Sequence, residues 1–140
     1  IRVSQQRGLE GALISTGFPY RIQQEHVDSY LSVLKAVMQV CAGVRRPGAA
    51  SLDLAYVAAG RADGFWEFGL SPWDMAAGAL LILEAGGLVG DLEGNDTYMD
   101  TGNICAGNPK VFAQLLQLIE PHLTPMLRSK AEAHTARRTG

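Results

Sequence analysis

Between Ser71 and Gly87 the chain reads S-P-W-D-M-A-A-G-A-L-L-I-L-E-A-G-G, which sets one carboxylate, Asp74, in the first turn of an otherwise apolar helix. Local rules fix both ends. Ser71 is a good N-cap, Pro72 suits the first helical position, and Asp74 falls in the first turn, where the helix dipole favours negative charge. Gly86 and Gly87 supply the stop. One reading makes Asp74 only the acidic partner of a capping box. Almost no other polar group occurs from Met75 to Leu83, however, so both faces of the helix are expected to be buried. A carboxylate at the mouth of such a helix needs a partner or a cation, and a hard divalent ion is one.

Strand and helix patterns alternate around this segment. Gly11 to Thr16 reads as a strand, and Gln23 to Ala42 as a helix with Val27, Tyr30, Leu31, Leu34, Met38 and Cys41 at helical spacing. A second helix runs from Ser51 to Ala59, ended by Gly60, and Phe65 to Phe68 forms an aromatic strand leading into the Trp73 helix. Leu88 to Gly90, a hairpin-like turn at Glu93 to Asp96, a strand from Asn103 to Ala106 and a helix from Pro109 to Ile119 complete the order. Such alternation predicts an α/β layer structure. The 140 residues, 47% of them hydrophobic, suffice for one domain with a core. No run of apolar residues is long enough to span a bilayer, and Ile1-Arg2-Val3 does not resemble a signal peptide. Cys41 and Cys105 lack C-x-x-C spacing and read as buried free thiols, so a reducing cytoplasm is the expected setting.

Alternation along F-W-E-F puts Phe65 and Glu67 on one face of their strand and Trp66 and Phe68 on the other. An acid that shares a face with an aromatic ring is costly unless it is used or exposed. Glu67 is therefore a candidate ligand-binding residue, with a strand-end carboxylate reaching water or an arginine as the plain alternative. The loop from Arg45 to Ala50 precedes a helix and offers backbone N–H groups to polar ligand atoms. Other polar residues take structural readings. Asp53 and Arg61 flank an apolar helix and can pair with neighbours, Asn108-Pro109 reads as a cap and first turn, and His26, His122 and His134 show no ligand spacing. Without a G-x-S-x-G elbow or a cysteine with an evident histidine partner, covalent catalysis is not expected.

The string W-D-x-A-A-G-x-L-L-I-x-x-x-G-G, met without departure from Trp73 to Gly87, resembles the second signature of the inositol monophosphatases, a family of magnesium-dependent phosphatases. L-D-L-A-Y-V-A-A-G-R-A-D-G-F-W-E-F-G-L from Leu52 to Leu70 and T-G-N-I-C-A-G-N-P from Thr101 to Pro109 are similar to the bacterial branch of that family. The resemblance spans Ile1 to Ile119. It implies one half of a layered α/β sandwich, the C-terminal one, because the upstream D-P-x-D-G-T segment of the family does not occur; Asp63-Gly64 and Asp91 are not part of such a string. Ile1 is accordingly expected to begin inside a central strand, leaving a sheet edge that the missing half would cover.

The resemblance also implies a function. Asp74 corresponds to a magnesium ligand, and Glu67, seven residues earlier, to the acid that accepts hydrogen bonds from inositol hydroxyls. Gly48, Ala49 and Ala50 correspond to positions that line the sugar side through main-chain contacts, although Ala49 lacks the hydroxyl common at the middle position. The activity so implied is Mg²⁺-dependent hydrolysis of a phosphate monoester, foremost myo-inositol monophosphate. This chain would supply one metal ligand and the polyol side but no catalytic base, and it would be inactive alone. The missing N-terminal half and a second copy in a homodimer are the implied partners. A non-catalytic dimerisation or partner-binding module is the alternative, and a related fructose-bisphosphate or nucleotide 3′-phosphatase is a third reading. Residues 1–125 form the expected α/β portion. Residues 126–140 carry a net +3 against −5 for the rest and read as a mobile tail; without interleaved aromatics, no nucleic-acid partner is expected.

Overall fold

The computed structural model describes residues 1–17, 24–46 and 48–128. One mixed sheet holds five strands: β1 (Leu13–Thr16), β2 (Gly43–Arg45), β3 (Gly64–Glu67), β4 (Leu88–Gly90) and β5 (Ile104–Gly107), in the spatial order β2-β1-β3-β5-β4. β1 runs parallel to both β2 and β3, and β5 runs antiparallel to both β3 and β4. Among the described residues five α-helices accompany them: α1 (Gln24–Val40), α2 (Ala50–Ala58), α3 (Pro72–Glu84) and α4 (Tyr98–Thr101) between strands, and α5 (Pro109–Ile119) after β5. The α/β class expected from the alternation is the class observed.

Two cores form, one on each face of the sheet. Trp66 and Phe68 turn to the side of α1 and α5, where they join Tyr30, Val33, Val37, Val111 and Leu115. Phe65 turns the other way, toward Leu54 and Val57 of α2 and Met75 and Ile82 of α3. Glu67 therefore belongs to the α2–α3 face, as the period of two requires. From β1 the chain reaches β2 through α1, then crosses back through α2 to β3 on the opposite flank of β1. Neighbouring strands are thus left in opposite directions, and such a reversal opens a crevice at their carboxyl ends.

Several expectations are corrected. α1 buries Tyr30, Val33 and Val37, while Leu31 is 47% and Met38 61% exposed. The stripe is rotated because Tyr30 sets the helix, packing at 5.9 Å against Trp66 and edge-on at 5.8 Å against Phe68. α3 is not buried on both faces. Met75, Gly78, Ala79 and Ile82 face inward, but Trp73 is 80% and Leu80 60% exposed, with Leu81 and Leu83 beside them in the open. One side of α3 packs tightly on α2, where a Cβ on Gly78 would lie 2.5 Å from the Leu54 Cβ; among the described residues nothing covers the other side.

Ile1 does not begin in a strand. Residues 1–7 run as irregular chain, held by Val3 N–H donating to the Ala85 carbonyl at 3.1 Å and by the Asn108 amide donating to the carbonyls of Ser4 and Gln6 at 3.0 and 2.8 Å. The sheet ends instead in β2 and β4, edge strands of three residues each, too short to recruit another chain readily. Self-association is therefore expected from the apolar α3 face. Sedimentation of the isolated chain is expected to show concentration-dependent association that Leu80→Glu suppresses, and a parent that stays monomeric at high concentration would refute this.

The segment after β4 is built around Asp91, a buried carboxylate that accepts from Glu93 N at 2.9 Å, Asn95 N at 3.0 Å and Thr97 Oγ1 at 2.5 Å. Asp63 accepts from Leu13 N at 2.7 Å. Both acids thus have structural partners. After α4, Gly102 takes a left-handed φ of 75° and its carbonyl accepts from Leu70 N at 2.7 Å. The expected boundary between residues 125 and 126 falls within a 3₁₀ turn, Pro125–Leu127; Leu127 is buried and Arg128 pairs with Glu93 at 3.3 Å. Residues 129–140, which carry Lys130, Glu132, Arg137 and Arg138, lie outside the described residues. Cys105 is buried and Cys41 half-buried, both as free thiols.

Candidate functional site

Asp74 stands in the first turn of α3, where its Oδ2 accepts from Ser71 N at 3.1 Å. The capping role is real, and it engages one of the two carboxylate oxygens. Glu67 closes β3. Gly48, with a left-handed φ of 92°, turns the chain into α2, and Ala49 at the N-cap brings no side-chain acceptor to the first-turn N–H groups. The glycine and two alanines keep the backbone accessible at a helix end that attracts anionic and polar atoms.

These five residues, Gly48, Ala49, Ala50, Glu67 and Asp74, line one cleft of about 420 Å³ at the carboxyl ends of the strands. Gly17, Arg46, Ser51 and Leu70 complete its wall. A cavity of about 480 Å³ beside α1 and β2, lined by Tyr30, Leu34, Cys41 and Val44 among others, has no carboxylate in its wall and offers no comparable chemistry.

Negative charge gathers at the cleft. Burial pushes the Glu67 carboxyl up to about 7, and the nearby charges of Asp53 and Asp74 push in the same direction. Asp53, in the first turn of α2, is fully buried, and neither of its oxygens has a hydrogen-bond partner among the described residues. Burial raises its carboxyl to about 6. The expectation that Asp53 pairs with a neighbour is thus not met, and Arg61 instead lies 5.9 Å over the Tyr56 ring. Among the described residues no three His, Cys, Asp or Glu side chains come together as a metal cage.

Asp53 makes stability depend on pH. Its folded value near 6 lies above the ordinary 3.8, so the folded state holds the proton more tightly, and this group's contribution to stability is fully present below pH 4 and is lost as pH rises through 6. Asp53→Asn removes the ionisation. Urea denaturation is expected to show a gain of roughly 2 kcal/mol for the variant at pH 7.5 and almost none at pH 4. An equal difference at both values would exclude a titrating Asp53.

Gly17 in the cleft wall and Asp53 buried behind it are not legible locally. Gly17 follows β1 and comes beside Glu67 only through the pairing of Thr16 with Trp66 on parallel strands. Asp53 is an ordinary helix acid in sequence, and only its burial beside Glu67 sets it apart. A glycine directly after an apolar strand was the available signal for the first.

A mixed sheet with helices on both faces defines a layered α/β protein, and its carboxylate-lined cleft lies at a reversal of strand order, where such sheets open a crevice. The family model of the inositol monophosphatase family matches residues 1–124. The chain belongs to the inositol monophosphatase family. Nus factor SuhB of Pseudomonas aeruginosa is 58% identical over 129 residues, covering 91% of this chain and 48% of that protein. The crystal structure of extragenic suppressor protein suhB from Bartonella henselae superposes with a TM-score of 0.82 at 47% identity, covering 87% of this chain and 46% of that one. Inositol monophosphatase from Anabaena superposes with a TM-score of 0.78 at 37% identity, covering 86% and 49%. The chain spans about half the length of the curated relatives it matches.

Proposed function

We propose that this chain is the polyol-recognising half of a Mg²⁺-dependent phosphomonoesterase acting on myo-inositol monophosphate. The observation that carries the reading is the convergence of Glu67, Asp74 and the Gly48–Ala50 backbone on one cleft. Asp74 is the residue that would hold Mg²⁺, since a carboxylate is a hard oxygen donor and the charge gathered with Asp53 and Glu67 favours a cation. Bound there, the ion would polarise the phosphate ester and offset charge growing on the leaving oxygen.

The chain's own residues bind and orient. The two oxygens of Glu67 accept hydrogen bonds from vicinal ring hydroxyls, and the exposed N–H groups leading into α2 receive polar substrate atoms. The N-terminal portion found in family members would bring the remaining metal ligands and the group that activates water. It would also cover Trp73 and Leu80 and offer Asp53 a donor. A homodimer formed near the exposed Leu31 and Met38 of α1, and a cytoplasmic setting, belong to the same reading. Among the described residues no helix is long and apolar enough to cross a membrane.

The test is phosphate release from myo-inositol 1-phosphate in Mg²⁺, by this chain alone and with a family N-terminal half added. No release alone and release on addition is the expected pair of results. Release by the chain alone, or none from the pair, would overturn the reading. A second reading, a partner-binding module without catalysis, is favoured by the relatives' name Nus factor and by the open apolar face of α3. Asp74→Asn separates the two, since it would leave partner binding intact.

A further inference from the structure

We propose that Gly17 is a positioning residue for Glu67: the space left by its absent side chain is the seat of the Glu67 carboxylate. The inference rests on the reading of Glu67 as the polyol-binding acid. Its structural basis is the register of β1 and β3, in which Thr16 pairs with Trp66 and the next residues along, Gly17 and Glu67, stand side by side at the carboxyl ends of parallel strands. A Cβ built on Gly17 would lie 1.6 Å from Glu67 Oε1, 2.3 Å from its Cδ and 3.0 Å from Oε2. Gly17 is buried and its φ is not left-handed, so the glycine answers a need for space and not for conformation.

What would give way decides what the position does. At Gly64 an added Cβ meets the Val111 and Ile14 side chains and the Ala106 carbonyl, all parts of the core, and a substitution there would strain the fold. At Gly17 the three nearest atoms all belong to the free end of the Glu67 side chain. A methyl there evicts the carboxylate and leaves the strands in place. Gly17 thus sets where the polyol-binding edge of the cleft stands.

The experiment uses Gly17→Ala in the enzyme reassembled with the N-terminal half, with Glu67→Ala, Glu67→Asp and the double variant Gly17→Ala/Glu67→Asp beside it. Loss of hydrogen bonds to a charged acceptor is expected to raise KM for myo-inositol 1-phosphate by roughly 10- to 100-fold in Gly17→Ala, with kcat within about twofold. Turnover of p-nitrophenyl phosphate, which has no ring hydroxyls for Glu67 to accept from, is expected to change far less than KM for myo-inositol 1-phosphate. Aspartate at 67 draws the carboxylate back by about one carbon–carbon bond, some 1.5 Å, and is expected to restore much of KM in the double variant. An unchanged KM in Gly17→Ala while Glu67→Ala raises it, or strictly additive effects in the double variant, would overturn the role of Gly17. An unchanged KM in Glu67→Ala would overturn the polyol reading alone. In that event the isolated chain decides: the ¹³C carboxyl resonance of Glu67 shifts in Gly17→Ala while that of distant Glu10 does not, and an unmoved Glu67 resonance overturns the inference.

Discussion

Asp74→Asn is expected to lower Mg²⁺-dependent phosphate release by the reassembled enzyme about 10³-fold, the equivalent of about 4 kcal/mol of transition-state stabilisation. The substitution is chosen for what it keeps. The asparagine amide oxygen can still accept from Ser71 N, which lies 3.1 Å from Asp74 Oδ2, so the start of α3 survives. Losing the charge at the helix N-terminus costs only about 0.3–1 kcal/mol. A melting temperature within a few degrees of the parent, combined with the loss of turnover, would assign Asp74 to metal binding beyond its capping role. Asp74→Ala removes both functions and is expected to lose stability as well. Parent-level turnover in Asp74→Asn would leave the carboxylate as a helix cap and favour the partner-binding reading.

Gly102→Ala is expected to be the most damaging of the small substitutions, at roughly 3 kcal/mol of stability and on the order of 10 °C in melting temperature. Two penalties coincide. The residue has φ of 75°, where an L side chain is strained, and an added Cβ would come 2.4 Å from the Leu70 carbonyl oxygen, a backbone atom that cannot swing aside. Gly102 also accepts from Leu70 N at 2.7 Å, and Gly69 N donates to Asn103 Oδ1 at 3.1 Å, so the clash strikes the brace between β3 and α3. Leu70 lines the cleft. Gly86→Ala is the control: φ there is 89°, but nothing lies within 4 Å of an added Cβ, so strain alone applies, at about 1–2 kcal/mol. Thermal melts of the two variants side by side check the argument, and equal losses would show that the Leu70 contact contributes nothing.

Where local chemistry decides, the chain was readable in advance. α5 occupies Pro109–Ile119 as expected because Asn108 caps it, accepting from Val111 N at 2.9 Å, and Pro109 starts it. Alternation along β3 correctly parted Glu67 from Trp66, since the period of a strand does not depend on what packs against it. β2 has no signal of its own: Gly43 and Val44 fall between a helix expected to end at Ala42 and a loop expected from Arg45, because three residues become a strand only by pairing with β1. The sequence overstates the burial of α3 for a related reason: apolar residues all round a helix state a demand for cover, and only tertiary structure says whether it is met. The cleft divides the same way. Glu67, Asp74 and the Gly48–Ala50 turn carry motif and cap signals, whereas Gly17 owes its place to strand register and Asp53 owes its raised carboxyl to burial.

The last strand among the described residues is an interior strand of the sheet. β5 lies between β3 and β4, and among the described residues β4 has β5 as its sheet neighbour on one side and none on the other. Before Ile104–Gly107 has emerged, β3 and β4 lack the strand that joins them, so among the described residues the sheet closes only when β5 appears. Such an order works against strand-by-strand folding during synthesis and makes insertion of β5 the committing event, dominated by contacts distant in sequence and correspondingly slow. Any product of premature termination before Gly107 would carry the F-W-E segment on an open sheet edge, a ready target for chaperones or for aggregation.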